Sequence, residues 1–209
     1  KLLAYEIRSR YRADARSFGA FIAVIAIAAG IVAAGLPGIS GSTAVLAYAL
    51  CALTPAACAI AALADYWKTL YGQRGYFTMS LPISGKVIFW AKNTRIAIEC
   101  LLALALAVGG MLAVASAAAW SDGISLAEYT AGPRSLVAGV PTSTVSLMIA
   151  AQLILAMSWV VQACAAMTIG AEGRFNHMGF GAPIIGFVLV YVVNQVLSTV
   201  GTFFLPLSV

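Results

Sequence analysis

The chain has 209 residues, of which 62% are apolar and only 9% charged, with a formal net charge of +5. A soluble domain carries about 25% charged residues, so a water-soluble globule is excluded and an integral membrane protein is indicated. Cys51, Cys58, Cys100 and Cys164 sit inside apolar runs without Cys-x-x-Cys or Cys/His spacing, so they read as buried free thiols and not as zinc or dithiol redox motifs.

Residues 1–16 interleave Leu2, Leu3, Tyr5, Ile7 and Tyr11 with Arg8, Arg10 and Arg12. The pattern predicts an amphipathic helix in the inner headgroup layer, its arginines toward anionic phosphates. The alternative is a plain cytoplasmic extension whose charges only set topology. The segment lacks the short apolar core and small-residue cleavage site of a signal peptide.

A helix needs about 20 apolar residues to cross a bilayer core. Five spans of that kind are predicted, at 17–36, 43–64, 96–119, 143–169 and 180–204. Gly35, Pro37 and Gly38 end the first, and the short GLPGIS link makes the first two an antiparallel hairpin. Pro55 is expected to kink the second span. Pro183 falls near the start of the fifth, where its missing N–H costs least. The expected fold is an all-α integral membrane bundle forming one transmembrane domain over 1–209. A sixth span after Val209, returning the chain to the cytoplasm, is expected to complete it.

Charge orients these spans. Eleven of the twelve lysines and arginines fall before the first span, between the second and third, or between the fourth and fifth; only Arg134 falls on the other side. By the positive-inside rule the N-terminus is cytoplasmic, as are 65–95 and 170–178, and 120–142 faces outward. That outer segment is too short to bury a core of its own, so short helical turns are expected there.

Nothing in the chain assembles a catalytic constellation. His177 is the sole histidine and lies in a short turn. Ser84-Gly85-Lys86 resembles the end of a phosphate-binding loop, but Ser80 stands where the first glycine is needed and Val87 follows the lysine. Ser146 and Ser158 have no base nearby and are expected to bond helix backbones. No cofactor, metal or nucleic-acid site is expected in the chain.

Polar residues within the spans are the remaining leads. Glu99 lies one turn after Arg95, so the two are expected to form an ion pair near the inner boundary; a proton or substrate role is the alternative. Gln152 and Gln162 share a broad face of the fourth span, and Asn194 and Gln195 sit near the middle of the fifth. These amides either hold helices together or line a polar pathway.

The connector over 65–95 interrupts the apolar sequence with GYFTMSLPISGKVIFWAKN at 75–93. Gly72 and Gly75 break the second helix. Tyr76 to Leu81 can form a short helix that Pro82 stops. Ser84 can cap the next helix, which runs through Trp90 and Lys92 into the third span. Two readings fit: a rigid transverse lever between two spans, or a plain interfacial loop.

The segment resembles the first cytoplasmic loop of type-2 ATP-binding-cassette (ABC) exporter permeases, in the small six-span bacterial group linked to peptide, lantibiotic or drug export. Gly75, Tyr76, Leu81, Pro82, Ile83, Ser84 and Lys92 match that group's Gly-Tyr-Leu-x-x-x-Leu-Pro-[Val/Ile]-Ser stretch and following lysine, with Phe77 in place of leucine. The basic amphipathic start is similar too. The resemblance implies a coupling helix that docks in a groove of a separate ATPase through Tyr76, Phe77, Met79, Ser80, Leu81 and Pro82. It implies ATP and Mg bound by that ATPase, a second identical or related permease as partner, and the bacterial plasma membrane as location. The alternative function is a membrane scaffold or sensor that transports nothing.

The orientation is testable. In Gly123→Cys the new thiol should react with an impermeant maleimide in intact cells, whereas in Gln73→Cys it should react only after permeabilisation. Labelling at position 73 in intact cells would overturn both the topology and the coupling role.

Overall fold

The computed structural model describes residues 2–72, 75, 80, 82–136, 138–171 and 182–204. Every regular element among them is helical: α1 (Leu2–Ala33), α2 (Ser40–Leu70), α3 (Gly85–Ser121), α4 (Leu126–Tyr129), α5 (Ala131–Ser135), α6 (Thr142–Gly170) and α7 (Ala182–Phe204). The protein is an all-α membrane bundle. Four helices, α1, α2, α3 and α6, are long and apolar enough to cross a bilayer, and the apolar stretch described in α7, Ile184–Val200, is shorter.

The expected spans map onto these helices with altered ends. The amphipathic N-terminal segment and the first span are one uninterrupted helix of 32 residues, because 2–18 contain neither glycine nor proline to separate them. α2 runs unbroken through Pro55. Beside the proline, the Thr54 hydroxyl donates to Leu50 O at 2.7 Å. α3 begins directly after Ser84 and reaches Ser121 as 37 residues. The segment that follows it contains the short turns expected there. Ser125 Oγ caps α4 by accepting the Glu128 N–H at 3.2 Å.

The helices gather into two compact units, Lys1–Ala62 with Lys86–Leu153, and Leu63–Gly85 with Ile154–Val209. In the first, Ile25, Ala47, Cys51 and Val114 form a buried cluster joining α1, α2 and α3. Val32, Ala117 and Ala118 form another, against which Tyr129 packs. The buried face of α3 recurs at helical spacing through Ile88, Lys92, Ile96, Cys100, Ala103, Ala107, Gly110 and Val114. Large apolar residues elsewhere, such as Ile27, Leu53 and Leu112, are exposed, as expected where hydrocarbon is the solvent.

The second unit relies on close approach and polar pins. The buried Tyr66 hydroxyl lies 2.9 Å from Thr168 Oγ1. A Cβ added at Gly186 of α7 would stand 1.9 Å from the Ala166 carbonyl oxygen of α6. Only glycine allows those two backbones to meet, the small-residue contact that lets membrane helices gain van der Waals energy.

Gly186→Ala should therefore destabilise the protein by about 1–3 kcal/mol through overpacking, seen as a lower midpoint for thermal unfolding in detergent. Gly109→Ala is the control: its added Cβ meets nothing within 4 Å, so its midpoint should hold or rise with the gain in helix propensity. Equal midpoints for the two variants would refute the close packing of α6 on α7.

Candidate functional site

The chemistry of the first unit is concentrated on one stretch of α3. Lys92, Asn93, Arg95 and Glu99 are its buried polar residues among those described, and Arg95 is only 1% exposed. Charge at such depth is costly unless paired, and the partners come from two helices. Lys92 Nζ lies 3.2 Å from Glu6 Oε1 and donates to Glu6 Oε2 at 3.2 Å. Arg95 Nε stands 3.9 Å from Glu6 Oε2, and its Nη1 donates to Glu99 Oε1. Asn93 Nδ2 donates to Phe89 O at 2.9 Å. One carboxylate of α1 thus faces two cations of α3, and one cation of α3 faces two carboxylates.

The network continues along α1, where Arg10 Nε and Asp14 Oδ1 pair at 3.5 Å. Cys58 of α2 points its thiol at Glu99 O, 3.8 Å away. A cavity of about 310 Å³ opens here, with Arg10, Asp14 and Glu99 at its polar end and Phe18, Phe21 and Ala57 among its apolar lining.

The Arg95–Glu99 pair stands where sequence spacing placed it. What spacing missed is that Glu6 of α1 completes it, facing both Lys92 and Arg95. The available signal was a pair of acids, Glu6 and Asp14, inside an otherwise basic segment and close to arginines of the same helix.

The intramembrane amides divide into two kinds. In the second unit Asn194 Nδ2 donates to Gln162 Oε1 at 2.6 Å, linking α7 to α6. The pair lines a cavity of about 340 Å³ whose other walls include Trp159, Phe187 and Tyr191. Gln152 and Gln195 are exposed.

For the connector, Tyr76, Phe77, Met79 and Leu81 lie outside the described residues, as does His177; Ser80 and Pro82 are exposed. α2 ends where it was expected to. The Tyr71 and Gly72 amides both donate to Trp67 O, at 2.9 and 3.2 Å, and a Cβ at Gly72 would come within 2.6 Å of Lys68 O. The rings of Trp67 and Tyr71 are 5.2 Å apart. Those of Phe89 and Trp90, on α3, are 5.6 Å apart. Aromatic pairs thus mark both ends of the connector, the placement that membrane–water boundaries favour.

No family model matches the chain, and neither a curated protein nor a solved structure does.

The charge network makes a sharp stability prediction. Arg95→Met strands the Glu99 carboxylate, leaves Glu6 to Lys92 alone, and should cost about 3–5 kcal/mol, lowering the denaturation midpoint in detergent. Adding Glu99→Gln to that variant should recover part of the loss, because it removes one stranded charge. A double variant less stable than the single by the full cost of each change would show that the two side chains act independently.

Proposed function

We propose that the chain is the membrane-spanning subunit of an ABC exporter, working with a second permease and with separate ATPase subunits that bind ATP and Mg. The observation that carries this reading is the stretch from Gly75 to Lys92. It resembles the coupling loop of type-2 exporter permeases and stands between two long apolar helices. Further support comes from the basic residues clustered at the chain start and around the connector. Both fit a cytoplasmic face that receives a protein partner.

In this reading Tyr76 to Pro82 dock in a groove on the ATPase. ATP binding draws two ATPases together, and the movement passes through the connector into α2 and α3. α3 suits such a role because it is a single helix of 37 residues starting at the connector. The transported molecule would be a peptide, lantibiotic or amphiphilic drug, in keeping with alanine-, valine- and leucine-rich spans.

Tyr76→Ala or Phe77→Ala should cost about 2 kcal/mol of docking energy, as loss of an aromatic anchor does at other interfaces. The ATPase should then be lost on co-purification, or hydrolyse ATP without export. Retained yield of complex and an unchanged stimulated ATPase rate in both variants would reject the coupling role.

A further inference from the structure

We propose that the cavity between α6 and α7 binds a neutral lipophile carrying a carboxamide or lactam edge, which pairs with the open donor and acceptor of Gln162 and Asn194. None of the lining residues belongs to the connector, and binding is measured on this chain alone, so its failure and that of the exporter reading are distinguishable.

The amide pair that links α6 to α7 is only half used. Each side-chain amide offers one carbonyl oxygen and two N–H groups. One N–H of Asn194 goes to Gln162 Oε1 at 2.6 Å. Among the described residues neither side chain makes a further hydrogen bond. The Gln162 N–H groups and the Asn194 carbonyl oxygen are therefore left open. Turning both amides over exchanges their roles and still leaves one donor group and one acceptor.

Both amides stand in apolar surroundings. Gln162 belongs to α6, a helix long enough to cross a bilayer, and Asn194 to the apolar stretch Ile184–Val200 of α7. Hydrocarbon offers neither donors nor acceptors, so open amide groups there are costly. Both side chains line the same cavity of about 340 Å³, a volume at the small end of ordinary ligand sites. A ligand seated there is placed to satisfy both.

The lining then selects the kind of ligand. Among the described residues of the wall none is charged, so an ion would enter without a counter-charge. Trp159, Phe187 and Tyr191 supply rings, against which an aromatic body packs face to face or edge to face. The polar edge of the ligand must both accept and donate. A primary carboxamide or a lactam does so, with its C=O and an N–H on the same side. An ester only accepts, and a hydrocarbon does neither. Trp159 and Tyr191 are 64% and 65% exposed, so the cavity opens at the surface of the helix pair and the ligand enters from the bilayer.

The test uses the full chain in nanodiscs, with empty nanodiscs to measure partition into lipid. The tritiated probes share one aromatic body: 2-naphthamide, methyl 2-naphthoate and 2-ethylnaphthalene. After correction for partition, 2-naphthamide should bind saturably and about tenfold more tightly than the ester, the worth of one hydrogen bond. Gln162→Met combined with Asn194→Leu removes both amides at similar volume, a change that leaves no partner stranded. That double variant should lose the preference for the carboxamide and bind 2-ethylnaphthalene at least as tightly as the unaltered chain does, which misfolding cannot mimic. Val188→Trp fills the cavity from an exposed position and should abolish saturable binding of every probe. Absence of saturable carboxamide binding, equal affinity of the unaltered chain for 2-naphthamide and 2-ethylnaphthalene, a preference that survives the double variant, or binding unchanged in Val188→Trp would overturn the proposal.

Discussion

A guanidinium buried in a membrane helix must bring its counter-ions with it, and for Arg95 that condition organises the first unit. One carboxylate, Glu99, comes from the next turn of the same helix. The other, Glu6, comes from α1 and is shared with Lys92. Neither helix can slide or rotate against the other without stranding a charge, at a cost of about 3–5 kcal/mol. Apolar contacts between membrane helices lack this directionality, because lipid tails offer the same environment as a neighbouring leucine. The ion cluster therefore sets the register of α1 on α3, and the small-residue clusters around Cys51 and Val32 fill the seam that it fixes.

The second unit meets the same need for direction with neutral groups. The Asn194–Gln162 bond and the Tyr66–Thr168 contact pin the helices, and Gly186 lets α7 approach the α6 backbone. Interhelical hydrogen bonds in bilayers are worth about 0.6–2 kcal/mol each, less than a broken buried ion pair. The unit carrying the charges is thus the more tightly specified of the two, while the amide-pinned one can repack at lower cost.

How far the sequence revealed this follows from what hydropathy can report. The four long apolar helices were legible because length and apolarity alone decide them. Helix ends were less so: α1 absorbs the segment expected to lie separately at the interface, since arginine, serine and alanine continue a helix as readily as they leave the bilayer. The buried face of α3 was not legible. Leu101, Leu102 and Leu112 are exposed to lipid while Ala103 and Ala107 are buried, so apolar residues occupy every side and periodicity loses contrast. The Arg95–Glu99 pair was readable because four residues make one turn. Its link to Glu6 was not, because 86 positions separate Glu6 from Lys92 and only the packing of α1 on α3 brings them together. The two amides that matter, Gln162 and Asn194, could not be told from Gln152 and Gln195 by type or depth; a partner on the facing helix distinguishes them.

Glu99 closes the ion network on α3. It bonds Arg95 one turn away, and Arg95 is also the residue that reaches Glu6 of α1. Any shift of α1 is therefore opposed first at Arg95, on a helix that begins at the end of the connector, at Gly85. The position of α1 and the direction of that helix are held by the same guanidinium.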